Sequence, residues 1–304
     1  MTLLVLASTL TLTSGAPAST QAPGFVRLAQ AATPLPPPVQ LVPPSAAQAD
    51  EPSVGSVATL QGGASVTRHN AVSPLKVDDA IFKGDVLQTS SGGTLGITFD
   101  DETTFTLEPN SRIAVDDFVY QDSGAGNAAL FNITQGTVAF IASKVAKTGH
   151  MNIETPEATL GIRGTTGIVQ IPTAGSAGPI AVKLYPDADG HVGRIEVFAR
   201  DGARLGVLFR GTTGLAIRPA ARAGRFAAVP LRISASEATH DRSFVRFAFS
   251  TQRVGRQINS QRRGLQRFNQ PRQNQIPPHQ PGGQPPPENR PHRPAEHGQG
   301  HHHH

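Results

Sequence analysis

The sequence has 304 residues, enough for one large domain or two small ones, and its composition departs from that of an average globular protein. Hydrophobic residues make up 38% and charged residues 16%, while 31 glycines and 26 prolines favour turn-rich β-structure joined to segments that do not fold. The absence of cysteine excludes disulfides, thiolate metal sites and cysteine nucleophiles. With no tryptophan and two tyrosines, few aromatic platforms remain for stacking bases or sugars.

The net charge of +5 is distributed unevenly along the chain. Residues 53–190 carry 8 basic and 14 acidic residues, whereas residues 191–304 carry 18 basic and 6 acidic ones. A basic extension of this kind attracts polyanions, such as acidic lipids, wall polymers or nucleic acid. Because no aromatic residue follows Phe268, we expect nucleic acid to be the least suitable of these partners.

The first residues predict an exported protein. The apolar run from Leu3 to Leu12 is too short to span a bilayer, which takes about 20 residues, and the small residues Ala16-Pro17-Ala18 follow it. We therefore expect a signal peptide over residues 1–18 and export to the periplasm or cell envelope. The basic residues that usually precede such a run are missing, so an upstream start codon or an apolar tail is the alternative. Residues 19–53, which are rich in proline and alanine, are predicted to be a semi-rigid linker.

Apolar residues recur at every second position in several stretches of residues 54–171. Leu95, Ile97 and Phe99 alternate with small or polar residues, and similar runs recur between Gly, Asn, Asp and Ser turn signals. This pattern predicts an all-β, antiparallel domain with a sandwich or roll architecture. The same pattern continues over residues 172–230 as a β-hairpin extension. There Asp187-Ala188-Asp189-Gly190 is interpreted as a hairpin turn rather than the start of a calcium loop, because Phe198 occupies the position where such a loop needs glutamate.

Several stretches of this region occur in the order found in one known family. They include Val54 to Val57, Gly62 to Arg68, Phe82 to Ser90, Thr94 to Leu107, Ser111 to Ile113, Leu130 to Val138, Ile153 to Pro156 and Gly161 to Thr166. Together they resemble the FecR domain, an extracytoplasmic β-module of bacterial envelope proteins. The resemblance implies a sensing or interaction module rather than an enzyme. The sequence resembles the free-standing exported members of this family more than the membrane-anchored regulators, because it contains no run of about 20 apolar residues.

The motif positions of this resemblance are expected to be mostly structural turns. They are Gly84, Asp85, Thr89, Asp100, Asp101, Gly136, Arg163, Gly164 and Thr165. Gly84-Asp85 is predicted to form a tight turn. The paired acidic residues near positions 78, 100 and 116 are expected at solvated strand ends, with calcium binding as the alternative. Arg163 is expected either to pair internally or to face a ligand. We expect no catalytic, cofactor-binding or metal-binding residue, and no cofactor.

The sequence pattern of residues 234–268 predicts one amphipathic basic helix. Ser234 and Glu237 have the spacing of a capping box, and apolar residues then recur at three- and four-residue steps, although Gly255 and Gly264 weaken the helix. The helix could dock on the β-domain, form a short coiled coil through self-association, or lie on an anionic surface. Residues 269–304 are rich in Pro, Gln, Arg and His and are predicted to be a disordered tail, whose terminal histidines could be native, a tag or a loose metal site.

The sequence therefore predicts a non-catalytic, exported binding, sensory or scaffolding module of the cell envelope. Its expected partner is an envelope protein or an anionic wall or lipid polymer, contacted through the β-domain and the basic tail. The alternative is a partner that relays the signal of an outer-membrane receptor to a separate sigma-factor regulator. A periplasmic enzyme is the least supported class, because the histidines lie in no motif with a nucleophilic serine or a metal spacing.

Overall fold

The computed structural model describes residues 51–269, except for residues 123, 125, 149, 174 and 221–224. For residues 265–269 it describes the course of the helix and not the side chains. The predicted signal peptide, nearly all of the predicted linker and nearly all of the predicted tail lie outside the described residues.

The described chain is dominated by β-strands. In chain order they are β1 (Gly55–Gln61), β2 (Ala64–Arg68), β3 (Ala71–Pro74), β4 (Ala80–Ile81), β5 (Val86–Thr89), β6 (Thr94–Phe99), β7 (Thr104–Leu107), β8 (Arg112–Val119), β9 (Ala128–Ile141), β10 (Met151–Glu154), β11 (Ala158–Arg163), β12 (Thr166–Ile171), β13 (Ile180–Tyr185), β14 (Arg194–Ala199), β15 (Arg204–Leu208), β16 (Thr213–Pro219) and β17 (Phe226–Leu231). The two helices are α1 (Lys144–Thr148) and α2 (Ala235–Asn269).

The strands form two layers that share one long strand. Sheet A has the order β4-β1-β6-β7-β9-β12-β13-β16-β17. Sheet B has the order β3-β2-β5-β8-β9-β10-β11-β14-β15. The first half of β9 pairs in sheet B and its second half pairs in sheet A. The predicted all-β sandwich followed by one amphipathic helix is therefore confirmed.

The change of sheet within β9 occurs next to Gly136, which has a φ of 85°. A Cβ atom at this position would lie 2.2 Å from the Ser111 Oγ atom and 2.5 Å from the Ser111 Cα atom. Ser111 takes part in the same junction, because its hydroxyl donates to the Thr137 carbonyl and accepts from the Thr137 amide. Glycine is needed here for both its conformation and its lack of a side chain.

One pairing differs from the antiparallel pattern that the sequence predicts. Strands β9 and β10 are parallel, with Met151 opposite Ala129 and Glu154 opposite Asn132. Parallel neighbours need a connection that returns the chain to the same end of the sheet. Here α1 lies within that return, between β9 and β10 in the chain. The periodicity of a strand gives its faces but not the direction of its neighbour, so the sequence could not predict this pairing.

The core lies between the two sheets. Alternate residues of both sheets contribute to a single buried cluster, in which Phe99, Phe105 and Phe131 are fully buried. The ring centroids of Phe105 and Phe131 are 4.5 Å apart, and those of Phe99 and Phe118 are 5.0 Å apart. Such aromatic contacts add to the stabilisation that comes from removing apolar surface from water.

Helix α2 lies on the face of sheet A that points away from sheet B, where it contacts β1, β6, β7, β9 and β12. Its start follows the predicted capping box, because the Glu237 amide donates to the Ser234 Oγ atom and the Ser234 amide donates to the Glu237 carboxylate. Of the three arrangements that the sequence left open for this helix, the structure has it docked on the β-domain. Within the described residues, neither helix has the length and apolar character that a membrane crossing requires.

Candidate functional site

The motif residues that the sequence singles out lie in separate turns. The fully buried Asp85 carboxylate accepts two hydrogen bonds from the Arg68 guanidinium, both at 2.7 Å, and one from the Phe82 amide at 2.9 Å. Gly84 precedes it with a φ of 82°. Thr89 lies at the Ser111 junction, where its hydroxyl donates to the Glu108 carbonyl and accepts from the Ser111 amide. These residues fix turns by charge-assisted and backbone hydrogen bonds.

A second group of motif residues holds the segment around α1. Asp101 is fully buried, and its carboxylate accepts hydrogen bonds from the Thr103 amide and hydroxyl and from the Val145 amide. Burial raises the pKa of this carboxyl group above its usual range. The carbonyl oxygen of Thr165, the residue after Gly164, accepts a hydrogen bond from the Ala142 amide. The expectation that Asp101 lies at a solvated strand end is wrong, because the side chain points inward to satisfy the start of α1.

Two motif residues are placed differently. Asp100 is half-buried, and burial raises the pKa of its carboxyl group. Its carbonyl oxygen accepts a hydrogen bond from Arg263 of α2 at 2.7 Å. Arg163 is exposed at the end of β11, and no carboxylate of the described residues lies within ion-pair distance of it. Among the described residues, no group of three or more His, Asp or Glu side chains is arranged to hold a metal ion.

The largest concentration of buried charge lies elsewhere, between α2 and sheet A. We call this contact the α2 seam, meaning the buried side chains of α2 from Asp241 to Asn259 and the sheet A residues they cover. At one end of it the Lys183 ammonium, which is fully buried on β13, lies 2.8 Å from the buried Asp241 carboxylate and 2.6 Å from the partly exposed Glu237 carboxylate. The Tyr185 hydroxyl donates to the same Asp241 carboxylate at 2.5 Å. The cation and the phenol belong to the sheet, and both carboxylates belong to the helix.

This arrangement determines the protonation of Tyr185. Burial and the adjacent Asp241 carboxylate raise the pKa of the Tyr185 phenol well above its ordinary value. At the edge of the same cluster, the Glu108 carboxylate lies 3.1 Å from the His240 imidazole. Burial raises the pKa of Glu108, although the nearby His240 opposes the shift. The pKa values of Tyr185 and Glu108 therefore depend on the burial that the docked helix provides.

The rest of the seam is built from small and polar side chains. A Cβ atom added to Gly255 would lie 2.0 Å from the Thr98 Oγ1 atom, and one added to Gly96 would lie 2.4 Å from the Thr251 Cγ2 atom. Helix and strand therefore approach each other through glycines on both sides. Hydroxyl and amide groups complete the contact, with Thr59 and Thr251 Oγ1 atoms 3.2 Å apart and Ser56 donating to the Asn259 Oδ1 atom at 3.1 Å.

Beside the first turns of α2 lies an open groove of about 580 Å³, lined by Tyr185, Pro186, Thr212, Thr239, Arg242, Val245 and Arg246. Arg242 and Arg246 are one helical turn apart and exposed. Neither has a carboxylate of the described chain within ion-pair distance. Guanidinium groups of this kind can pair with a carboxylate or phosphate of a partner.

Sequence reasoning missed the main residues of the seam. Lys183 interrupts the apolar strand Ile180–Tyr185, and a lysine in a strand that is otherwise buried on both faces was the available signal. Asp241 gave no signal, because an acidic residue near the start of a helix is ordinary. Gly255 was identified only as a weak point of the helix, whereas the structure uses it for close approach.

Residues 85–185 match the family model described as FecR protein. Among solved structures, the chain is similar to two crystal structures from Parabacteroides distasonis ATCC 8503, each described as a "putative anti-sigma factor". One has 13% sequence identity and a TM-score of 0.34, and the match covers 48% of this chain and 59% of that chain. The other has 12% identity and a TM-score of 0.34, with 51% and 72% covered. The search of curated proteins gives no match to the sequence.

Proposed function

The chain carries a FecR domain that includes residues 85–185, and we propose that it acts as a non-catalytic regulatory module of the bacterial cell envelope. The match to the FecR family model is the observation that carries the proposal, because this family works in envelope-associated signalling. The buried motif residues are consistent with this role. Asp85, Thr89 and Asp101 each use their polar atoms within the fold, and so they stabilise turns rather than supply reactive groups.

The α2 seam supports a regulatory rather than a purely structural module. A regulator needs an element with two arrangements whose balance a partner can change. Helix α2 has the properties of such an element, because its ion pairs to Lys183 are made only when it is docked. The groove with Arg242 and Arg246 offers an acidic segment of an envelope protein a place to contact this helix.

Export is part of the proposal, with residues 1–18 as a signal peptide and residues 19–53 as a linker. It is supported by the apolar run from Leu3 to Leu12 and the small residues after it. Fractionation of the native protein, followed by N-terminal sequencing, tests this part. We expect an envelope or periplasmic fraction whose mature chain begins near Ser19 or Ala32. An uncleaved protein that follows cytoplasmic markers would contradict export.

A relay from an outer-membrane receptor to a separate sigma-factor regulator remains the second candidate, and the family match favours it over a scaffold. Transcript levels distinguish the two. If the protein is part of a relay, a deletion strain and a strain that carries the Lys183→Met variant in place of the wild type should show changes in the same small set of transcripts. The variant should have this effect because it disturbs the docked helix. A scaffold predicts no defined transcript set. Wild-type transcripts in the deletion strain would contradict the relay.

A further inference from the structure

The contact beneath α2 is unlike the interior of the sandwich. On the sheet side it combines five fully buried polar residues with a small apolar cluster, namely Ser56, Thr98, Thr104, Thr106 and Lys183 beside Ala139, Ile141, Ile168 and Tyr185. Water solvates a Thr- and Lys-bearing face well once a helix leaves it. The sandwich core draws its side chains from between the sheets and includes none from α2. Separation of α2 would therefore leave that core intact and expose a sheet face that is polar along β6 and β7.

The apolar part of the contact lies in the first half of the helix. There the buried Phe244, Val245 and Ala248 and the half-buried Phe249 pack against the apolar cluster of the sheet. Farther along, buried positions are taken by Thr251, Gln252, Gly255 and Asn259. Within the described residues, the buried Thr106 hydroxyl and one Asp241 carboxylate oxygen have no hydrogen-bond partner. Docking of the second half of α2 thus depends on polar groups that can exchange protein partners for water with little net change in free energy.

The parts of α2 that docking does not use fit a different environment. Phe247 and Ile258 are half-buried and Val254 is 40% exposed, and all three lie along one side of the helix, next to the buried Phe244. The opposite side carries the exposed Arg242, Arg246 and Arg253. Over its whole length α2 has seven arginines and two acidic residues. Apolar residues along one side and arginines along the other are typical of a helix that lies in the interface of an anionic bilayer.

We propose that α2 is a releasable helix, which leaves sheet A and lies with its Phe244–Ile258 side in the surface of an anionic lipid bilayer. Release breaks the ion pairs of Lys183 with Asp241 and Glu237, and lipid phosphates then face the arginines. A lipid surface fits better than an acidic protein, because the apolar side and the arginines both extend along many turns and need a planar partner. The inference rests on the proposed location in the envelope, where such a surface is available.

The absence of cysteine and tryptophan allows a direct test. Thr59→Cys with Thr251→Cys joins helix to sheet where the two hydroxyl oxygens are 3.2 Å apart, and reduction releases this single disulfide. Phe247→Trp adds one fluorescent reporter to the side proposed to enter lipid. The probe is a vesicle of equal parts phosphatidylglycerol and brominated phosphatidylcholine, because bromine quenches only a tryptophan within the bilayer. Phe209→Trp, at a side chain 60% exposed on the sandwich, is the matched control.

In the reduced protein we expect quenching of the tryptophan at position 247 and not of the one at position 209. In the oxidised protein we expect the apparent affinity measured by this quenching to fall by about tenfold or more. Vesicles of phosphatidylcholine alone should give no quenching in either form. Equal quenching of the locked and released proteins, or none with anionic vesicles, would overturn the proposal and favour a protein partner. Because the test uses purified protein, its failure leaves fractionation and transcript results for the proposed function unaffected.

Discussion

Where α2 covers it, sheet A buries both of its faces, and the two faces are built from different side chains. The face toward sheet B carries Phe99, Phe105 and Val182 in a continuous apolar core. The face toward α2 carries threonines, a serine and the charged Lys183 beside a small apolar cluster that packs against the first half of the helix. The first face gains its stability from area removed from water, and so it is expected to open only when the whole domain unfolds. The second depends on matched polar groups, and so it can open separately.

The largest expected change in stability comes from the apolar core between the two sheets. Phe131→Ala removes a fully buried ring that contacts Phe99 and Phe105, and it should lower the free energy of unfolding by about 3–5 kcal/mol. Urea denaturation measures this change. Phe209→Ala, at an exposed ring, should change the same quantity by less than about 0.5 kcal/mol. Equal effects of the two substitutions would contradict the core described above.

Lys183→Met tests the polar face. It leaves the buried Asp241 carboxylate without its cation, which costs about 3–5 kcal/mol when a buried pair loses one partner. We expect that cost to appear as undocking of α2, with the urea transition of the sandwich nearly unchanged. Amide exchange of α2 and of β9 separates the two events. Adding Asp241→Leu to Lys183→Met should restore docking, because it replaces the pair with apolar groups. A loss of sandwich stability as large as that of Phe131→Ala would contradict the separation.

Replacing either of the two glycines of α2 by alanine is expected to change stability, but in opposite directions. Gly255→Ala brings a Cβ atom against Thr98, so we expect docking to weaken by about 1–3 kcal/mol. A Cβ atom at Gly264 would have no heavy atom within 4 Å, so Gly264→Ala should stabilise the helix by up to about 1 kcal/mol. Circular dichroism during urea titration compares the variants. Stabilisation by both substitutions would show that helix and sheet do not approach as closely as described.

The smallest expected effect is the pH dependence of helix docking that comes from Tyr185, and the absorbance of this tyrosine reports it. Its pKa is raised by burial and by Asp241, so the protonated phenol favours the docked helix. This contribution is fully present below the ordinary pKa of about 10 and is lost as the pH rises above it toward the docked value. In Tyr120→Phe, where Tyr185 is the remaining tyrosine, phenolate absorbance should therefore appear above the usual pH and together with undocking. Ionisation near pH 10 with α2 still protected would contradict the contact with Asp241.

The sequence predicts the parts of the structure that depend on local patterns. Alternation of Leu95, Ile97 and Phe99 gives a strand, and Ser234 and Glu237 give the start of a helix. Asp187 to Gly190 form a turn, but the prediction of a hairpin is wrong, because this turn joins β13 of sheet A to β14 of sheet B. The FecR resemblance was found from ordered short motifs and is confirmed by the family match.

The remainder depends on contacts between residues far apart in the chain. Lys183 is 58 residues from Asp241, and Ser56 is 203 residues from Asn259, so no local pattern connects them. The inward orientation of Asp101 depends on Val145, which lies 44 residues away. For the same reason Gly255 appears in the sequence only as a poor helix former, although Thr98 makes it necessary.

Hydrogen exchange of the full chain tests the central claim most directly, because it measures the opening of each element under native conditions. We expect the amides of α2 from Phe244 to Ser260 to exchange together, through an opening that needs less free energy than the opening of β9 and β13. Oxidised Thr59→Cys/Thr251→Cys should bring these helix amides toward the protection of the strands. Equal protection of α2 and the sandwich strands in the wild-type chain would contradict the claim that the α2 seam opens on its own.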